Sequence, residues 1–177
     1  MKIESVAVRN FRCFGPEWMV VSLQEQVTAF VGGNGSGKTA LFQALSRLFG
    51  VTRTDRTITK KDFHIAHDEE ELPDGRALEI ECVLGFPELD EEEDEDAPAV
   101  PDFFNHMAAS GPDEPLKARI RLVARWVEDG TPDGTVEEDI RWITTLGDEF
   151  DWETLPKVSA VDRASIQVVY VPALRNA

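Results

Sequence analysis

Eight consecutive residues, Gly32-Gly33-Asn34-Gly35-Ser36-Gly37-Lys38-Thr39, carry the chemistry most directly legible in this chain. Gly32, Gly37, Lys38 and Thr39 meet the spacing G-x-x-x-x-G-K-[ST]. Glycine at 32, 33, 35 and 37 permits backbone dihedrals and a close approach that a Cβ would forbid. Such a loop turns its N–H groups inward as a nest for the α- and β-phosphates of a nucleoside triphosphate. A helix starting near Lys38 adds its positive end to the same anion. Lys38 is expected to reach the β- and γ-phosphates, and Thr39 to offer its hydroxyl to Mg²⁺. Asn34, Gly35 and Ser36 complete the cup, and the expected ligands are ATP and magnesium.

The elements that position this loop follow from periodicity. Residues 2–10 alternate at period two, with Ile3, Val6 and Val8 apolar, and read as a first strand; a second covers Trp18 to Leu23. Val27-Thr28-Ala29-Phe30-Val31 is a continuous run that suits a strand buried on both faces. After the loop, Leu41, Leu45 and Leu48 share one face of a helix that Gly50 stops. The order strand, glycine loop, helix is the context a phosphate loop requires. Further strands are expected over Ala77–Phe86, Lys117–Glu128 and Glu138–Leu146, with a hairpin connection through Asp129–Gly134. Ile166 to Val171 reads as another buried strand. The fold class is therefore α/β: a mixed sheet around the phosphate-loop helix, with an antiparallel layer from residues 77–146.

Composition bounds the rest. The chain has 177 residues, 42% of them hydrophobic, which suits one ordinary globular domain. No apolar run approaches the ~20 residues that span a bilayer, and the alternating start lacks the centre of a secretory signal, so a cytoplasmic protein is expected. Cys13 and Cys82 stand far apart with no metal spacing and read as buried or half-buried free thiols. The net charge of −16 argues against direct contact of this segment with nucleic acid. Half of that excess lies in Glu88 to Asp96, eight acids in nine residues, which reads as a solvated loop of poor order. His64, His67 and His106 lie in polar stretches and read as surface residues.

The catalytic half of a nucleotide hydrolase is harder to find. A Walker B strand needs a run of apolar residues ending in an acid. Leu122 to Asp129 is interrupted by Arg125, and Ile166–Val171 runs into Pro172. No Leu-Ser-Gly-Gly signature and no Asn-Lys-x-Asp base-reading motif occur, which speaks against a complete GTPase.

Asn10-Phe11-Arg12 after the first strand, followed by Phe30-Val31 and the glycine loop, resembles the N-terminal lobe of ABC-type ATPases of the SMC, RecF and double-strand-break-repair branch. Lys61-Asp62-Phe63 and Tyr170-Val171-Pro172-Ala173-Leu174-Arg175 resemble the OLD family (overcoming lysogenisation defect) of ATP-dependent nucleases. That resemblance implies an ATPase lobe over residues 1–177. It implies completion by a C-terminal ATPase half and a Toprim nuclease domain, and a homodimer formed through an ATP sandwich and a helical insert. It also implies DNA as the partner of the full-length protein and no membrane. It places Arg12 near the nucleotide, an alternative to a plain cap on the strand turn, and allows Asp62 a metal-side role. A sister reading is an SMC- or RecF-like repair ATPase without nuclease activity; a third is a regulator that holds ATP structurally.

Overall fold

The computed structural model describes residues 1–87, 106 and 115–171. Five strands form one sheet: β1 (Lys2–Arg9), β2 (Met19–Ser22), β3 (Ala77–Gly85), β4 (Lys117–Val127) and β5 (Thr135–Ile143). Their order is β2-β1-β3-β4-β5, and every neighbour runs antiparallel. Among the described residues three α-helices accompany them: α1 (Lys38–Phe49), α2 (Arg53–Arg56) and α3 (Ala160–Ser165).

Register follows the alternation in the sequence. Val8 faces Ile80, Ile80 faces Leu122 and Leu122 faces Ile140, so one apolar row crosses four strands on a single face. Leu78, Ile80, Cys82 and Leu84 of β3, with Ile120, Leu122, Ala124 and Trp126 of β4, are buried on it. Helix α1 contributes to the same core through Leu41, Ala44, Leu45, Leu48 and Phe49. These recur at three- and four-residue intervals, the spacing that gives a helix one apolar stripe. Gly50 ends α1, its N–H bonded to the carbonyl of Ser46.

The opposite face of the sheet carries charge and is nonetheless covered. Glu79, Glu81 and Arg119 are all buried. Arg9 and Arg121 pair with Glu79, and Arg119 and Arg121 pair with Glu81. The Trp18 ring lies against both Arg9 and Arg121, and Phe150 against Arg121. Alternation marks which residues leave the core, but a later loop and an aromatic from the β1–β2 connection decide that they do not meet water.

Two expected strands do not form. Residues 27–31 adopt no strand, and Val27 and Val31 are 77% and 97% exposed. Residues 166–171 make one parallel bridge, Val168 to Gly50, and leave Val169 and Val171 exposed. An apolar run becomes a buried central strand only with a strand on each side, and no described residue supplies one. The described sheet is therefore antiparallel throughout rather than mixed, and the one parallel bridge lies outside it. Cys82 is buried, and burial pushes its thiol well above the usual range; Cys13, expected to be at least half-buried, is exposed. The Glu88–Asp96 run and residues 172–177 lie outside the described residues. No helix among the described residues is long and apolar enough to cross a membrane.

Candidate functional site

The glycine loop folds as a cradle at the head of α1. Gly35 and Gly37 have φ of +82° and +88°, the left-handed region that disfavours a side chain. At Gly37 space forbids one as well, since an added Cβ would lie 2.8 Å from the Phe14 ring and 3.2 Å from Cys13 Sγ. At Gly32 it would fall 2.7 Å from Ser36 Oγ. Gly33 differs: nothing lies within 4 Å of its added Cβ and its φ is not left-handed, so the loop's own shape does not require glycine there. Gly37 is the N-cap of α1, no side chain caps the helix, and its first turn contains no acid. The positive end of α1 therefore faces the loop without a built-in counter-charge.

Lys38 is folded back onto its own loop. Its Nζ donates to the carbonyls of Gly32 and Gly33, both at 2.7 Å, and to Ser36 Oγ at 3.1 Å. Those three acceptors match the three donors of an ammonium group. Thr39 is exposed, and its hydroxyl makes no hydrogen bond among the described residues. The loop and the start of α1 line a cleft of about 540 Å³ that also takes in Arg12, Cys13 and Gln43. A cleft of about 680 Å³ lies elsewhere, between α2, β5 and α3, but no glycine loop lines it.

Arg12 reaches this cleft because the turn carrying it is clamped. Asn10 and Arg12 both have left-handed backbones, with φ of 51° and 53°. The Arg12 N–H donates to the Asp62 carbonyl, and the His64 N–H donates to the Asn10 carbonyl. The His64 ring nitrogen Nδ1 lies 2.7 Å from the Arg12 carbonyl, as its donor. His64 is thus a half-buried strut instead of a free surface histidine. His106 stacks on Trp142, with ring centroids 5.8 Å apart, and His67 is exposed as expected.

Asp62 has a different place from the metal-side role the resemblance allowed. Its carboxylate is fully buried and accepts from Arg12 Nε and Nη2 at 2.9 and 2.6 Å and from Arg47 Nε at 3.0 Å. It also accepts from the Thr59 N–H as half of a capping box on the turn Lys60–Asp62. Burial alone would raise its carboxyl; the bonds from Arg47, the Thr59 backbone and Arg12 outweigh that and hold it below the usual carboxylate range. A carboxylate committed to two guanidiniums has little left for a cation. Among the described residues no group of histidine, cysteine or acid residues is placed to hold a metal ion.

Sequence reasoning missed Gln43 and Arg47. Thr39, Gln43 and Arg47 stand four residues apart and mark one polar line along α1 from the loop towards Asp62, a spacing visible in the chain itself. The acids weighed for Walker B, Glu128 and Asp129, belong to the β4–β5 hairpin. Asp129 accepts from Thr131 and Thr135, which lower its pKa to about 2.

A family model described as an AAA ATPase domain matches residues 1–123. No curated protein matches the chain by sequence. Among solved structures, the chain is similar to one from work titled as concerning ATP-driven dimerization and DNA-stimulated activation of SMC ATPases. The TM-score there is 0.51 at 16% identity, over 94% of this chain and 77% of that one. It is also similar to an SMC head bound to the C-winged helix domain of ScpA, with a TM-score of 0.52 at 16% identity, over 94% of this chain and 39% of that one. At this identity the likeness concerns the fold, which is that of a P-loop NTPase of mixed α/β type with an antiparallel sheet.

Proposed function

This chain belongs to the AAA ATPase domain family, and on that premise we propose that its glycine loop binds Mg-ATP as the nucleotide-binding lobe of a DNA-processing ATPase. The observation that carries the reading is the cradle: two left-handed glycines, an uncapped helix N-terminus and an ammonium group within one cleft. Gly32 to Gly37 and the first turn of α1 would hold the phosphates through backbone N–H groups. Lys38 would exchange the Gly32 and Gly33 carbonyls for phosphate oxygens, and Arg12 would lend positive charge from the facing wall. Thr39 would hold magnesium, which when bound screens the charge of the triphosphate.

An acid that orients attacking water belongs to such an enzyme, and no strand among the described residues offers one next to the loop. We therefore assign turnover to a complete assembly in which a C-terminal ATPase half joins this lobe and two lobes close on nucleotide. The exposed apolar residues Val27, Val31, Val169 and Val171 support a second half packing beside the loop. Within this reading, Lys61-Asp62-Phe63 supports an OLD-type enzyme whose Toprim domain cuts DNA. The fold likeness to SMC heads supports the alternative, a repair or chromosome ATPase without a nuclease.

The first test is nucleotide binding. Titration with a fluorescent ATP analogue and Mg²⁺ is expected to saturate for the chain, and Lys38→Ala to weaken binding by about tenfold or more, the loss of one strong charge-assisted contact. Equal binding by the two proteins would overturn the reading. Metal-dependent DNA cleavage by the full polypeptide would separate the nuclease reading from its alternative.

A further inference from the structure

The wall of the nucleotide cleft opposite the glycine loop contains a charge arrangement that the phosphate-loop chemistry does not use. Two guanidiniums, Arg12 and Arg47, converge on one carboxylate, Asp62. Asp62 is fully buried, Arg47 is 15% exposed and Arg12 is 29% exposed, so Arg12 alone faces the cleft to any extent. Arg12 gives Nε and Nη2 to Asp62, while its Nη1 has no hydrogen-bond partner among the described residues.

A simple Arg12–Asp62 pair would be a poor device for attracting a phosphate. The carboxylate would cancel the guanidinium, and the pair would present a dipole with little net field. Arg47 changes that balance. It binds the second oxygen of the same carboxylate, and the group of three keeps one net positive charge. Of the three, Arg12 is the member that lines the cleft. Arg47 is itself anchored, with Nη1 donating to the Asp55 carbonyl at 2.5 Å. It rises from α1 two turns beyond Thr39, so the helix that presents the phosphate loop also sets Arg47 against Asp62.

We propose that Arg47 and Asp62 are positioning residues for Arg12: Asp62 fixes the guanidinium at the cleft wall, and Arg47 neutralises Asp62 so that Arg12 keeps its charge for the phosphate chain of the nucleotide. This rests on the nucleotide reading of the glycine loop. It also gives the Asp62 of Lys61-Asp62-Phe63 a physical role in this fold. The acid serves an arginine.

The test compares Arg47→Met, which removes the charge but keeps much of the stem, with Arg47→Lys, which keeps the charge. Both are titrated with fluorescent Mg-ATP at low and high salt, beside wild type and Lys38→Ala, after thermal melting has shown each to be folded. Arg47→Met is expected to bind about three- to tenfold more weakly at low salt, an effect of ~1 kcal/mol in charge-assisted contact. Its affinity should depend less steeply on salt, because one fewer positive charge acts on the ligand. Arg47→Lys should recover most of both. A folded Arg47→Met with wild-type affinity and salt dependence, while Lys38→Ala loses binding, would overturn the inference and leave the nucleotide reading intact. Equal losses in Arg47→Met and Arg47→Lys would overturn it too, by making Arg47 a matter of shape. Wild type indifferent to nucleotide would instead sink the nucleotide reading beneath it.

Discussion

Residues 77–85 and residues 27–31 are both apolar strand candidates, yet they end in opposite states. The first segment, β3, lies between β1 and β4, is hydrogen-bonded along both edges and is almost entirely buried. The second enters the glycine loop, pairs with no strand and exposes Val27 and Val31. The sheet closes its core with its own strands and α1. The loop has its helix behind it and the turn carrying Arg12 and Cys13 beside it, but no described strand pairs with the segment leading into it. Apolar character brings a segment into a sheet only when neighbours exist to take its N–H and C=O groups. The stable half of this molecule is therefore the sheet, and the chemically equipped half is the part left open.

That contrast can be broken by substitution. Ile80→Ala, at the centre of the sheet, should cost about 2–5 kcal/mol of unfolding free energy, as expected for a fully buried side chain truncated to alanine. Urea denaturation measures it, and a cost under about 1 kcal/mol would mean that the sheet is not a self-sufficient unit.

Acid tests the junction between the two regions. Because Asp62 has a lowered pKa in the folded protein, its contribution is fully present above the unfolded carboxylate value and is lost as pH falls through the folded one. The melting temperature should therefore drop as pH falls below about 4. Asp62→Asn should have a lower melting temperature at neutral pH and a flatter profile below pH 4 than wild type. Parallel profiles would show that the carboxylate does not titrate in this window.

The smallest effect is expected in the open region. Val31→Asp should change the stability of this chain by no more than about 0.5 kcal/mol, as for an exposed site, despite placing a charge on an apolar run. A larger loss would show that residues 27–31 are covered in solution.

All five strands were legible, four within one residue and β5 offset by three at each end, because alternation and turn chemistry are local. So was α1, whose leucine spacing and terminal Gly50 need no tertiary context. Of the site, Gly32 to Thr39 were legible for the same reason, since the spacing itself carries the mechanics of a phosphate nest. Gly33 was over-read, because its position in a glycine run says nothing of what surrounds it. Arg47 and Gln43 went unread, although their four-residue spacing from Thr39 was in view. A helix position becomes a site residue only when a wall faces it.

The chain by itself determined a cup for anions at the head of a helix, and the alternation that turns Leu78, Ile80 and Leu122 towards one core. Each rests on dihedral freedom or on a period of a few residues. Tertiary structure decided what becomes of charge: that Asp62 serves two arginines 50 and 15 residues away in sequence, and that Glu79 and Glu81 are buried against Arg121, on which Trp18 and Phe150 lie. A charge acts on whatever lies within a few ångströms, and only the folded chain decides which groups those are.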